Sequence, residues 1–200
     1  MKLPIGKIIH GDCKKIVPKF PVGEINLVLT DPPYPDYHTE KYQYKKGMLN
    51  FLKKIDCRQI IFWSAKVDFP LNYTAIHIWD KWIGIGSEYE RIFEINGQAN
   101  YKLFRRFAAV GNPYRAKIAK DIHTQHPSQK PIKLMMKLVS TFSKPDDIIL
   151  DPFAGVGSTC VASERMGRRW IGIEIDKGYC KIARKRIAYE KRNPGFRIFK

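Results

Sequence analysis

Thr30-Asp31-Pro32-Pro33-Tyr34 brings a carboxylate, two prolines and an aromatic ring together within five positions. Each proline fixes its own φ and removes a backbone donor, so a strand cannot run through the pair. The result is a stiff corner with an acid at one end and a ring at the other. Taken alone, such a corner reads as a turn that closes a strand. A second corner lies far downstream, Asp151-Pro-Phe-Ala-Gly-Val-Gly-Ser-Thr159, and the two together point to chemistry.

The second corner sits in a strand–helix–strand pattern, entered by Ile148-Ile-Leu-Asp151 and followed by Trp170-Ile-Gly-Ile-Glu174. In such a unit glycines let the backbone approach a ligand. An acid about 20 residues further on accepts hydrogen bonds from ribose hydroxyls. Glu174 stands at that distance from Gly155. The spacing is Gly-x-Gly, without the third glycine of a dinucleotide fingerprint, which favours a cofactor with a ribose but no pyrophosphate. S-adenosylmethionine answers to that description.

Elements must hold these corners in place. The pattern predicts strands over 7–12, 25–30, 59–63, 74–79, 91–96, 101–109, 148–151 and 170–176. Helices are expected over 13–20, 47–56, 131–143, 158–166 and 178–191, with Pro131 at a first helical position. The middle strands follow one another without clear helices, which reads as antiparallel addition to a sheet edge. His77 is expected to pack within its strand and is given no chemical role. The helix after Gly178 shows a basic face of Lys181, Arg184, Lys185 and Arg186. Asp12, Asp31, Asp151 and Glu174 all fall at strand ends. Any one of them is an ordinary strand-end acid; four converging at the carboxyl ends of parallel strands make a ligand crevice.

Composition bounds the partners. The chain has 200 residues, 44% hydrophobic, enough for one sizeable core. Its formal net charge of +17 attracts polyanions, with nucleic acid ahead of an anionic membrane surface or a merely solvated basic face. No apolar run approaches the roughly 20 residues of a membrane span, and the start of the chain lacks a signal-peptide core, so an intracellular protein is expected. The four cysteines lie far apart in apolar contexts and read as buried thiols; no metal site is expected.

On these residues the chain resembles the amino-methyltransferases of DNA, in the class whose catalytic motif precedes its cofactor motif. Asp31-Pro-Pro-Tyr34 is similar to the catalytic motif, Asp151 to Gly157 to the cofactor loop, and Trp170 to Glu174 to the ribose-binding strand. His126-Pro-Ser-Gln-Lys-Pro131 resembles the stretch completing the methionine side of the pocket. Trp79-Asp-Lys81 with Tyr89 to Glu94 resembles the middle region.

The resemblance implies an α/β fold with a doubly wound mixed sheet, Rossmann-like and circularly permuted, in a single catalytic domain over 1–200. It implies S-adenosylmethionine as cofactor, held by Asp12 at the adenine, Glu174 at the ribose, and Asp31, Asp151, Phe153, Ala154, Gly155, Gly157, Ser158, Thr159 and Lys130. Asp31 and the Pro32 carbonyl, in the corner stiffened by Pro33, would accept the hydrogens of a flipped-out base's amine, with Tyr34 stacked on the base. An aspartate opening this motif resembles adenine-N6 enzymes more often than cytosine-N4 ones. A cytosine-N4 enzyme, an RNA adenine-N6 enzyme, a glutamine methyltransferase and a non-catalytic binding module are the rivals. Double-stranded DNA is the expected partner, in a prokaryotic or phage cell and in the setting of restriction–modification; a homodimer stays open. Little chain is left for a separate target-recognition region. Loops 35–46 and 105–126 are expected to touch DNA through Tyr37, Tyr42, Lys45, Lys46, Arg105, Arg106 and Arg115.

Overall fold

The computed structural model describes residues 2–36, 43–81, 89–105, 107 and 128–192. Eight strands form one sheet: β1 (Lys7–His10), β2 (Leu27–Thr30), β3 (Arg58–Trp63), β4 (Ala75–Asp80), β5 (Tyr89–Ile95), β6 (Leu103–Phe104), β7 (Ile148–Asp151) and β8 (Arg169–Glu174). Their spatial order is β1-β8-β7-β2-β3-β5-β4-β6. The first five are parallel, and β5 runs antiparallel to both β3 and β4. The two central strands β2 and β7 are buried along their whole length, as expected where helices cover both faces of a parallel sheet.

Among the described residues four α-helices accompany the sheet: α1 (Cys13–Ile16), α2 (Ile132–Phe142), α3 (Ser158–Arg165) and α4 (Lys177–Arg192). Leu134, Leu138 and Val139 of α2 are fully buried against Leu27, Leu29, Ile60 and Phe62. Each such side chain contributes roughly 1.5–3 kcal/mol by leaving water. Cys160 of α3 and Ala183 of α4 pack with Ile8 and Trp170 at the other end of that face. The opposite face is covered by short turns, with Val17, Phe20, Leu49, Leu52 and Ile55 against Val28, Ile61, Trp63 and Leu150.

The mixed Rossmann-like sheet is as expected, and β1 lies next to β8, with α4 packed on it. Several local expectations are corrected. Residues 50–54 form a 3-10 helix rather than an α-helix. Leu49, Leu52 and Ile55 recur every third residue, and that spacing aligns on one edge in a 3-10 turn. The segment from Cys13 makes one α turn and then a 3-10 turn, Val17–Lys19, around Pro18. Pro131 is the extended N-cap of α2, not its first helical residue. Of the expected strand at 101–109 the described residues hold only β6, which runs parallel to β4.

His77 is buried, as expected, within a charged cluster. Its Nε2–H faces Glu94 Oε2 at 2.9 Å and its Nδ1 accepts from the Lys102 amide at 3.1 Å. Arg58 Nε pairs with Glu94 Oε1 at 3.0 Å. Burial pushes His77 down to about 4, so the imidazole is neutral at pH 7 and Arg58 is the cation that answers Glu94.

Candidate active site

The carboxyl ends of β1, β8, β7 and β2 open on a cavity of about 520 Å³. Strand order reverses between β7 and β2, where ligands bind in open α/β sheets. Both corners meet there. Asp31, Pro32, Pro33 and Tyr34 line one side; Asp151, Phe153, Ala154, Gly155, Ser158 and Thr159 line the other. Asp12, Lys130 and Glu174 are also on the wall.

The corners are bonded to each other. Thr30 Oγ1 donates to Asp151 Oδ1 at 2.7 Å, and the Phe153 amide reaches the same oxygen at 3.1 Å. Burial outweighs these bonds and pushes the Asp151 carboxyl up to about 6. In the glycine loop, Gly155 has φ 51°, a left-handed conformation that suits glycine. Its amide donates to Glu174 Oε2 at 2.7 Å, while the Asp176 amide donates to Oε1 at 2.7 Å. The Glu174 carboxylate is thereby fixed in orientation.

Gly157 departs from expectation. It has φ 83° but does not line the cavity; a Cβ there would stand 3.0 Å from Ala183 Cβ. This glycine lets α4 pack under the loop. Arg186 is a second correction to the basic face of α4. It is 8% exposed, and its Nη1 donates to the Val156 carbonyl at 2.8 Å, with Ser158 Oγ 3.4 Å away. Asp12 lines the cavity while capping α1, its Oδ1 accepting from the Lys14 amide at 2.9 Å.

At the Pro-Pro corner the Tyr34 hydroxyl donates to Asp31 Oδ1, and Lys130 Nζ lies 2.6 Å from Asp31 Oδ2. Lys130 therefore meets the Asp31 corner directly, whereas the resemblance put it on the cofactor side. Its ammonium is also 3.3 Å from Glu90 Oε2, and Lys81 Nζ is 2.6 Å from Glu90 Oε1. The Tyr34 ring stands edge-on to Trp63 at 5.5 Å between centroids. Burial pushes the Asp31 carboxyl above its ordinary value, opposed by Lys130. Burial also pushes Glu90 up, but Lys130 and Lys81 outweigh it and the net direction is down.

Sequence reasoning gave no role to Glu90 or Lys81. The available signal was their place in the two stretches, Trp79-Asp-Lys81 and Tyr89 to Glu94, that resemble the family's middle region. Of the expected DNA-contacting residues, Lys45 and Lys46 are exposed and Lys45 reaches the cavity wall. Arg105 is exposed, 3.8 Å from Asp80. Tyr37, Tyr42, Arg106 and Arg115 lie outside the described residues. Among those described, no helix is long and apolar enough to cross a membrane.

Known proteins are similar to this chain in sequence and fold. YubD of Escherichia coli K12 is 28% identical over 94% of this chain and 92% of its own length. The DNA adenine methyltransferase YhdJ of the same organism is 24% identical over 90% of this chain and 82% of its own. Among solved structures, the complex of M1.HpyAVI with S-adenosylmethionine superposes with a TM-score of 0.63, at 22% identity, over 90% of this chain and 98% of that one. The family profile described as DNA methylase, covering N6 and N4 enzymes, matches residues 77–185, more than half of the chain. Because that match spans more than half of the chain, this chain belongs to the DNA methylase family and is a DNA methyltransferase.

Proposed function

We propose that the protein transfers a methyl group from S-adenosylmethionine to the exocyclic N6 amine of an adenine flipped out of duplex DNA. The observation that carries the reading is Asp31, held at the end of β2 on the wall of the cavity that also contains Glu174. The residues fit the cofactor. A cavity of about 520 Å³ lies within the range of nucleoside-sized sites, and its carboxyl groups Asp12, Asp31, Asp151 and Glu174 suit a cation better than a pyrophosphate. When bound, the cofactor supplies a methyl group already activated on a sulfonium.

The chain's own residues do the rest. Glu174 holds the ribose hydroxyls, Asp12 the adenine, and Phe153, Ala154 and Gly155 the edge between them. An exocyclic amine is a poor nucleophile because its lone pair is delocalised into the ring. Asp31 and the Pro32 carbonyl accept its two hydrogens and draw the nitrogen toward tetrahedral geometry. Tyr34 stacks on the extruded base, whose unpairing costs a few kcal/mol. Positioning and hydrogen bonding then provide most of the acceleration. Loops 35–46 and 105–126 contact the duplex, and a short or relaxed target sequence follows from their modest size.

Adenine is favoured over cytosine by the aspartate that opens the motif. The likeness to YhdJ, named a DNA adenine methyltransferase, points the same way. Acceptor preference tests the reading: duplex DNA, single-stranded DNA and structured RNA are offered with labelled methyl donor, and nucleosides are identified afterwards. N6-methyladenine from duplex DNA is expected. Preferential labelling of RNA, or label in 4-methylcytosine, would overturn it.

A further inference from the structure

We propose that Glu90 is a positioning residue that shares the Lys130 ammonium with Asp31 and so sets how strongly Asp31 accepts from the target amine. The proposal deepens the reading above and rests on Asp31 as the acceptor.

Glu90 does not line the cavity; it stands behind Lys130, with its side chain 14% exposed. Lys130 sits between two carboxylates, 2.6 Å from Asp31 and 3.3 Å from Glu90. Lys81 holds the far oxygen of Glu90 at 2.6 Å, which keeps that carboxylate turned toward Lys130. The Tyr34 hydroxyl lies 3.4 Å from Glu90 while donating to Asp31. The strand ends of β4 and β5 are thus wired to the catalytic corner through one lysine.

The sharing matters because both Asp31 oxygens already have a donor. A lysine bound to Asp31 alone would withdraw acceptor strength that the amine needs. With Glu90 present the ammonium is divided between two anions, and Asp31 keeps part of its basicity. A cluster of Asp31, Glu90, Lys130 and Lys81 is also balanced in charge, which leaves room for a cationic methyl donor beside it.

The groups facing Asp31 are Tyr34 from its own corner, Lys130 from the segment before α2, Glu90 from β5 with Lys81, the residue after β4, behind it, and Asp151 from β7. Lys130 lowers the Asp31 carboxyl and Glu90 raises it. Removing either one moves Asp31 in opposite directions. A purely structural role predicts no such opposition.

The test is the pH dependence of single-turnover methyl transfer in Glu90→Gln and Lys130→Met, with folding checked by thermal melting. Glu90→Gln is expected to lower the rate about 10- to 100-fold, as lost positioning does, with the acid limb moved to lower pH. Lys130→Met is expected to move that limb to higher pH. Glu90→Asp, which restores the charge, should recover much of the rate. Acid limbs that stay in place, or that move together, overturn the proposal. An unchanged rate in Glu90→Gln does the same. A wild-type enzyme that labels cytosine would instead sink the adenine reading and leave the shift measurable.

Discussion

Strand β5 carries two glutamates on one face, the partly buried Glu90 and the buried Glu94, and they do different work. Glu94 meets a neutral His77 and the Arg58 guanidinium, and burial leaves its carboxyl above the ordinary range. Nothing in that cluster reaches the cavity. Glu90, four residues earlier, has two lysines, lies below the ordinary range, and is one ammonium away from Asp31. Burial of a carboxylate is therefore not what marks a functional site. The mark is what its counter-ion touches next.

Breaking each cluster should separate the two roles. Asp31→Ala removes the acceptor served by Glu90, and methyl transfer should fall by about 10²–10³-fold or more with melting little changed. Glu94→Ala strips the partner from a partly exposed guanidinium and a buried imidazole, and unfolding free energy should fall by roughly 1–3 kcal/mol while the rate per folded molecule is kept. A Glu94→Ala protein that melts normally but transfers slowly would erase the distinction.

Acid titration of stability sharpens it further. His77 is lowered from 6.5 to about 4, so between those values the unfolded chain binds the extra proton. Stability from this group is present above 6.5 and is lost as pH falls toward 4. Asp151 is raised from 3.8 to about 6, so its contribution is present below 3.8 and is lost as pH rises through 6. Each is worth about 3 kcal/mol at most. The two slopes oppose one another, and urea midpoints between pH 4 and 6.5 should be nearly flat in the wild type. Asp151→Asn should rise with pH over that window and His77→Gln should fall. The smallest effect is at the rim: Lys45→Ala should weaken DNA binding a few-fold and reduce the salt slope by about one.

Sequence brought most residues of the two corners to one cavity because their signals are local. Two corners, the acid 19 residues past Gly155 and the apolar stripe of α2 each lie within one strand–turn–helix unit. The roles of Glu90 and Lys81 were not legible, for the opposite reason. Their meeting with Lys130 depends on β5 being inserted between β3 and β4, a non-local pairing that no periodicity announces. Arg186 was legible and misread: it falls on the stripe of Tyr179, Ala183 and Ile187 that α4 buries, and its charge drew it to the surface face. The resemblance put Lys130 on the methionine side, and only the fold brings its ammonium to Asp31.

The most direct measurement uses one duplex containing both adenine and cytosine, incubated with labelled S-adenosylmethionine and digested to nucleosides. The account predicts label in N6-methyladenine with the wild type and none with Asp31→Ala. Label in 4-methylcytosine, or undiminished label with Asp31→Ala, would contradict it.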